Sequence, residues 1–175
     1  MIKQRTAHTA DLDGDTKTAI RALMDASFEG FSDDAFENAL GGMRTLIFED
    51  DDLIGHASVV QRRLLHRGRA LRTGYIEAVA VRSDRRRRGH GDVMMDVLER
   101  IVRSGYQLGA LGASPAGAHL YTSRGWQLWR GPSSVLSPDG IRQTPDLDGA
   151  IYVLPTSIPV DVTGQLTCDW RPGSV

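Results

Sequence analysis

Between Gly74 and Met95 the chain passes from an apolar run, Ile76-Glu-Ala-Val-Ala-Val81, through four consecutive arginines, Arg85–Arg88, to Gly89-His-Gly91. Apolar residues then resume at helical spacing: Val93, Met94, Val97, Leu98, Ile101 and Val102, with Gly105 just beyond. The pattern predicts a strand, a short loop and an amphipathic helix, in that order. The first N–H groups of a helix lack intrahelical partners and lie at the positive end of its dipole, so they bind anions. Glycines at 89 and 91 let a backbone approach phosphate oxygens closely. Arg86, Arg87 and Arg88 add charge-assisted contacts, and His90 lies between the two glycines. The same residues suit a solvated basic turn capping a helix, and spacing alone leaves both readings standing.

Several competing functions are excluded on composition. No Gly-Lys-Ser/Thr closes the loop, so it is not a Walker A site, and Met94 stands where Gly-x-Gly-x-x-Gly needs its last glycine. The net charge of −1 and the absence of aromatics among the arginines argue against nucleic acid. A lone cysteine, Cys168, permits neither an internal disulfide nor a cysteine-based zinc site, and no metal is expected. It fits a reducing compartment. The N-terminal residues lack a secretory apolar region, and no apolar stretch is long enough to cross a bilayer. The expected location is cytoplasmic.

The remaining chain supplies a mixed set of elements. Residues 2–8 are a predicted strand. Ile20, Leu23 and Met24 mark one helix, and Ser32-Asp33-Asp34 starts a second that stops at Gly41-Gly42. Thr45–Glu49, Leu53–Leu65 and Leu71–Val81 read as strands joined by Asp50–Asp52 and His66–Arg69. Leu108–Leu111 is a short strand, Pro115–Arg124 a short helix, and Trp126–Trp129 a strand. Pro132–Gly149, rich in Gly, Pro, Ser and Asp, reads mostly as loop. Ile151–Leu154 and Leu166–Trp170 are the last strands. With no repeat or linker, residues 1–175 read as one domain of α+β (mixed α/β) class, a central mixed sheet with flanking helices. Glu77 is a carboxylate in an otherwise apolar strand, which suits either a general base or an ion pair with a nearby arginine.

Val79-Ala-Val81 followed by Arg86-x-x-Gly89-x-Gly91 resembles the acetyl-CoA-binding motif of the GCN5-related N-acetyltransferases (GNAT). The resemblance implies that Val79, Ala80 and Val81 pair with the pantetheine arm, and that Arg86, Arg87, Arg88, Gly89, His90 and Gly91 grip the pyrophosphate. Further blocks look like the aminoglycoside 2′-N-acetyltransferases of that superfamily. They are Leu40-Gly-Gly-Met43, Val60-Gln-Arg-Arg63, Gly74-Tyr-x-Glu-x-Val-Ala-Val-Arg82, Tyr106-Gln-Leu-Gly-Ala-Leu111, Leu120-Tyr-x-Ser-Arg-Gly-Trp126, Gly131-Pro-x-Ser-Val-Leu136 and Cys168-Asp-Trp-Arg171.

That likeness implies acetyl transfer from acetyl-CoA to an aminoglycoside amine, with Glu77 as base through a bridging water and Tyr121 as acid toward the leaving sulfur. The Val79 N–H is the implied donor to the thioester oxygen. Alternatives are another amine, such as a polyamine or a peptide terminus, or a non-catalytic acetyl-CoA-binding module. Cys168 lacks an adjacent base, so direct attack is expected rather than an acetyl-enzyme. A polycationic drug calls for carboxylates, and Asp33, Asp34, Asp146, Asp148 and Asp169 are the candidates, with Glu77, Ala78 and Gly112 also lining the substrate side. Ordinary helix-start and loop acids account for the same residues equally well. Departures from the family pattern fall on this side. Ala35 replaces an acid, Gly112-Ala113 replace serines of some relatives, and the tail Pro172-Gly-Ser-Val175 lacks the Gly-Asp-Val-Trp ending, with Ser174 in place of the acid. A homodimer is expected by analogy with the family.

Overall fold

The computed structural model describes residues 1–173. Ser174 and the end of the tail lie outside the described residues. Two compact units are formed, neither contiguous in sequence: Met1–Val60 with Ile76–Arg100, and Gln61–Tyr75 with Ile101 onward. The chain crosses from one to the other within two strands and one helix, which is why no linker is visible in the sequence.

The first unit opens with β1 (Ile2–His8), then α1 (Gly14–Ser27), α2 (Asp33–Leu40) and β2 (Met43–Glu49). It also holds the start of β3 (Asp52–His66), the end of β4 (Arg69–Val81) and most of α3 (His90–Gly105). Both early helices start where the sequence places a cap. The Asp13 carboxylate accepts from the Thr16 N–H at 2.7 Å, and the Ser32 hydroxyl accepts from the Ala35 N–H at 3.1 Å. β1 and β2 pair antiparallel, as do β2 and β3. Ile20, Leu23 and Met24 of α1 pack with Ala7, Leu46 and Ala80 to form the core. At Gly42 a Cβ would run into the Val59 carbonyl, so the chain can pass into β2 there only as glycine.

In the second unit the strands follow the order β6-β9-β5-β4-β3-β10-β7-β8. The new elements are β5 (Leu108–Gly112), α4 (Ala118–Ser123), β6 (Gln127–Leu128), β7 (Ser133–Ser137), β8 (Gly140–Gln143), β9 (Ile151–Pro155) and β10 (Leu166–Cys168). β4–β5 and β10–β7 pair parallel, and β10–β3, β5–β9, β6–β9 and β7–β8 pair antiparallel, so the sheet is mixed. β3 turns into β4 through Arg67 and Gly68, both left-handed at φ 48° and 74°, the geometry of a tight hairpin turn. Leu64, Leu71, Leu108, Trp129, Ile151 and Val153 form the core, and the Trp129 indole N–H donates to the Gly164 carbonyl at 3.0 Å.

The expectation of loop over Pro132–Gly149 is corrected. Residues 133–143 form the β7–β8 hairpin, with Ser134 opposite Gln143 and Leu136 opposite Ile141. Two of the three buried positions of β7 are serines, Ser133 and Ser134 beside Val135, which hides the apolar alternation that marks a strand. Ser133 bonds Thr144 and Asp148, and Ser134 shares a 2.8 Å bond with Thr167. The predicted helix over 115–124 is shorter, running Ala118–Ser123.

Leu64 is fully buried in the second core. Leu64→Ala is expected to lower unfolding stability by about 2–5 kcal/mol, through lost burial and the cavity left behind. Urea denaturation checks this, and a loss below about 1 kcal/mol would contradict that core assignment.

Candidate active site

The site residues of the first unit sit on the end of β4, the following loop and the start of α3. Ala78 stands in the left-handed region at φ 50°, inside a strand. An extra or kinked residue of this kind marks a β-bulge, which re-aims the chain beyond it. Two side chains of β3 meet the kink. His56 Nδ1 lies 2.8 Å from the Ala78 carbonyl, and the Ser58 hydroxyl donates to the Glu77 carbonyl at 3.2 Å. A carbonyl only accepts, so the His56 proton is on Nδ1. His56 and Ser58 are both fully buried. Burial pushes the His56 pKa down to about 4, against the hydrogen bond to Ala78, with the Arg44 charge adding to the depression. Glu77 itself is half-buried and engaged with its surroundings.

Val79, Ala80 and Val81 complete β4, and the Arg82 N–H donates to the Ile54 carbonyl at 2.8 Å. The arginine run then divides. Arg85 is held by Glu49 at 2.6 Å and by Asp84 at 2.6 Å, and Arg82 bonds Asp84 at 2.8 Å. Arg86 donates to the Val81 carbonyl at 3.0 Å. Arg87 and Arg88 are exposed, and among the described residues neither has a carboxylate within ion-pair distance. The backbone is left-handed at Arg87 (φ 60°) and again at Gly89 (φ 79°). Alternation of this kind turns successive N–H groups to one side, the concavity that holds anions.

The Val93 N–H donates to the Gly89 carbonyl at 3.1 Å, so the His90 and Gly91 amides come before the first intrahelical bond of α3. A Cβ at Gly89 would meet nothing within 4 Å, so space beside it is open. Left-handed backbone, open amides and uncommitted guanidinium groups together fit a pyrophosphate-bearing molecule. The four arginines in sequence thus differ: Arg85 is held by carboxylates, Arg86 bonds the Val81 carbonyl, and Arg87 and Arg88 are exposed.

The second unit holds the other candidates. Tyr121 lies on α4, buried against Trp126 and Tyr152 with ring centroids 6.2 and 6.4 Å away. Burial pushes its phenol up to about 12. Gly112 is exposed at the end of β5. Asp146 is exposed in a short 3-10 turn after β8. Asp148 accepts from the Ser133 N–H at 2.9 Å and hydroxyl at 2.7 Å, closing the loop back onto β7. Asp169 pairs with the buried Arg62 at 2.6 Å and accepts from the Arg63 N–H at 3.0 Å. Cys168 is buried in the core, which pushes its thiol up, so it is poorly suited to nucleophilic attack. In the first unit, Asp33 and Asp34 occupy the first turn of α2, and Asp33 pairs with Arg21 at 2.5 Å while staying exposed.

His56 and Ser58 are not found by motif or by resemblance. The signal present in the sequence is two polar residues two apart, on one face of the apolar segment 53–60 of β3. Among the described residues, no helix is long and apolar enough to cross a membrane.

Residues 8–129 match the family described as Acetyltransferase (GNAT) domain. An aminoglycoside 2′-N-acetyltransferase of Mycolicibacterium fortuitum is 50% identical over 176 aligned positions, covering 98% of this chain and 90% of that protein. A GNAT family acetyltransferase from Brucella melitensis, solved in complex with acetyl-CoA, superposes with a TM-score of 0.62 at 15% identity, over 95% of this chain and 94% of that one. ElaA of Escherichia coli superposes with a TM-score of 0.60 at 17% identity, over 87% of this chain and 99% of that one.

Folding keeps His56 neutral, with its pKa lowered to about 4. The unfolded chain therefore binds the extra proton between about pH 6.5 and about pH 4, and stability rises with pH across that window. Its contribution is complete above about pH 6.5 and is lost as the pH falls, by on the order of 2–3 kcal/mol at about pH 4.5. Urea unfolding at the two ends of the window should show the wild type losing that much more than His56→Asn. Equal losses would contradict the buried neutral imidazole.

Proposed function

The chain belongs to the GNAT acetyltransferases, and on that footing we propose that it transfers the acetyl group of acetyl-CoA to the 2′-amino group of aminoglycoside antibiotics. The left-handed Arg87–Gly89 loop before the open amides of α3 carries the acetyl-CoA half of this reading. Full-length likeness to the Mycolicibacterium enzyme supports the aminoglycoside half.

When bound, acetyl-CoA supplies an activated thioester carbonyl. Arg86, Arg87, Arg88 and the amides of Gly89, His90 and Gly91 hold its phosphates, and Val79, Ala80 and Val81 offer strand backbone to its arm. The Val79 N–H is aimed at the oxygen where negative charge develops. An ammonium ion has no lone pair to attack with, so the amine must first lose a proton. Glu77 takes that proton, through a bridging water. Tyr121 keeps its own proton throughout the neutral range. With its phenol near 12, full transfer to a thiolate of ordinary pKa near 8.5 is uphill by about 3 units. Tyr121 therefore works chiefly as a hydrogen-bond donor to the charge growing on sulfur. Attack is direct, since the Cys168 thiol is buried and held protonated.

The drug's ammonium groups need carboxylates within reach. Asp33, Asp34 and Asp146 are exposed and suited to that task, Asp33 by exchanging its Arg21 partner for an ammonium group. Asp148 and Asp169 already accept bonds from Ser133, Arg62 and Arg63, and they act by shaping the loops they close. The methyl side chain of Ala78 leaves room for a sugar ring, and so does the exposed Gly112 in its own unit. The enzyme works in the cytoplasm, where acetyl-CoA is made and used. It forms a homodimer, a reading supported by the outer strand β8 and by the exposed Leu136 and Ile141.

Purified protein with acetyl-CoA is expected to release thiol with gentamicin and tobramycin, and weakly or not at all with kanamycin A, which carries a hydroxyl at the 2′ position. Equal turnover of kanamycin A would exclude the 2′ assignment. Turnover of spermine alone would move the substrate class to polyamines. Glu77→Ala should cut kcat by about 10²-fold at neutral pH and recover as the free amine fraction rises. An unchanged pH–rate profile would remove Glu77 as the base.

A further inference from the structure

We propose that His56 and Ser58 are positioning residues for acyl transfer, holding the backbone at Glu77 and Ala78 so that the kink aims Glu77 and the Val79 N–H at the reacting groups. The inference rests on the functional reading above for what Glu77 and Val79 do. It adds which residues set their direction.

Three observations converge. Ala78 is a non-glycine residue at φ 50°, a conformation that costs roughly 1–2 kcal/mol and persists only where neighbours enforce it. The carbonyls of two successive residues, Glu77 and Ala78, each receive a side-chain donor from β3. Both donor residues are fully buried, which limits the access of water to these bonds. Rotation of the peptide planes at this point would swing the Glu77 side chain and reverse the Val79 amide. Two bonds to consecutive carbonyls resist that rotation, and one would not.

His56 is a costly choice if packing were its only purpose. Its Nε2 is buried, and among the described residues no hydrogen-bond partner reaches it. The imidazole therefore bears an unsatisfied nitrogen in order to place one N–H at Ala78. A leucine would fill the same space at lower cost. A strand running between apolar layers keeps such a group when the hydrogen bond it makes has a use.

The comparison is between His56→Asn, whose side-chain amide can offer an N–H in place of Nδ1, and His56→Leu, which offers none. Ser58→Thr and Ser58→Ala form the second pair. Each protein is measured for kcat, for KM toward acetyl-CoA and toward tobramycin, and for the ¹⁵N–¹H resonance of Val79 without substrate. His56→Leu and Ser58→Ala should lower kcat by about tenfold or more, with KM for acetyl-CoA changed by less than about threefold. The Val79 resonance should move in both. His56→Asn and Ser58→Thr should restore kcat to within about threefold of wild type and return the resonance.

A Val79 resonance unmoved in His56→Leu would overturn the proposal. So would equal kcat in the Asn and Leu variants, or a loss confined to KM. If wild-type protein turns over no aminoglycoside while Val79 still responds to His56→Leu, the substrate reading fails and the hold on the kink stands.

Discussion

The site of the first unit depends on one backbone residue, Ala78, standing in the left-handed region in the middle of a strand. A regular β4 would carry Glu77 and Val79 along the pleat with their amides committed to neighbours. The kink breaks that regularity at one point and redirects everything that follows. Its cost, roughly 1–2 kcal/mol, is of the same order as the roughly 1–3 kcal/mol that two hydrogen bonds to the Glu77 and Ala78 carbonyls contribute. The balance is close, so the kink stays where both donors are present.

Beyond the kink, charge decides what is fixed and what stays available. Glu49 and Asp84 hold Arg85, and Asp84 also holds Arg82. These bonds anchor the entry to the loop. They leave Arg87 and Arg88 to the solvent side, next to amides that precede the first intrahelical bond of α3. A loop pinned at its base and cationic at its rim suits a phosphate ligand that must enter and leave. The acids of the second unit divide in a similar way. Asp148 and Asp169 bind their own chain, whereas Asp146 stays exposed.

Much of this was legible in the sequence, for identifiable reasons. Strand, loop and helix around residues 76–105 follow from apolar spacing and from glycine, and the structure places each within a few residues. Ser32 caps the helix that its position predicts. The β7–β8 hairpin was not legible, because two of the three buried residues of β7 are Ser133 and Ser134, which pair with Thr144, Asp148 and Thr167 and give no apolar alternation. Nor was the left-handed state of Ala78, since alanine carries no conformational signature of the kind glycine does. Its supports, His56 and Ser58, look like stray polar residues until the Glu77 and Ala78 carbonyls are seen to face them. Resemblance pointed to Glu77 and Tyr121; the structure adds that burial pushes the Tyr121 phenol up to about 12.

Acetyl transfer to a defined amine is the central claim, and the position of the new amide bond tests it most directly. Tobramycin incubated with the protein and acetyl-CoA should yield one monoacetylated product, with two-dimensional NMR placing the acetyl group on the 2′ nitrogen. An acetyl group on any other nitrogen, or recovery of unmodified drug after complete incubation, would contradict it.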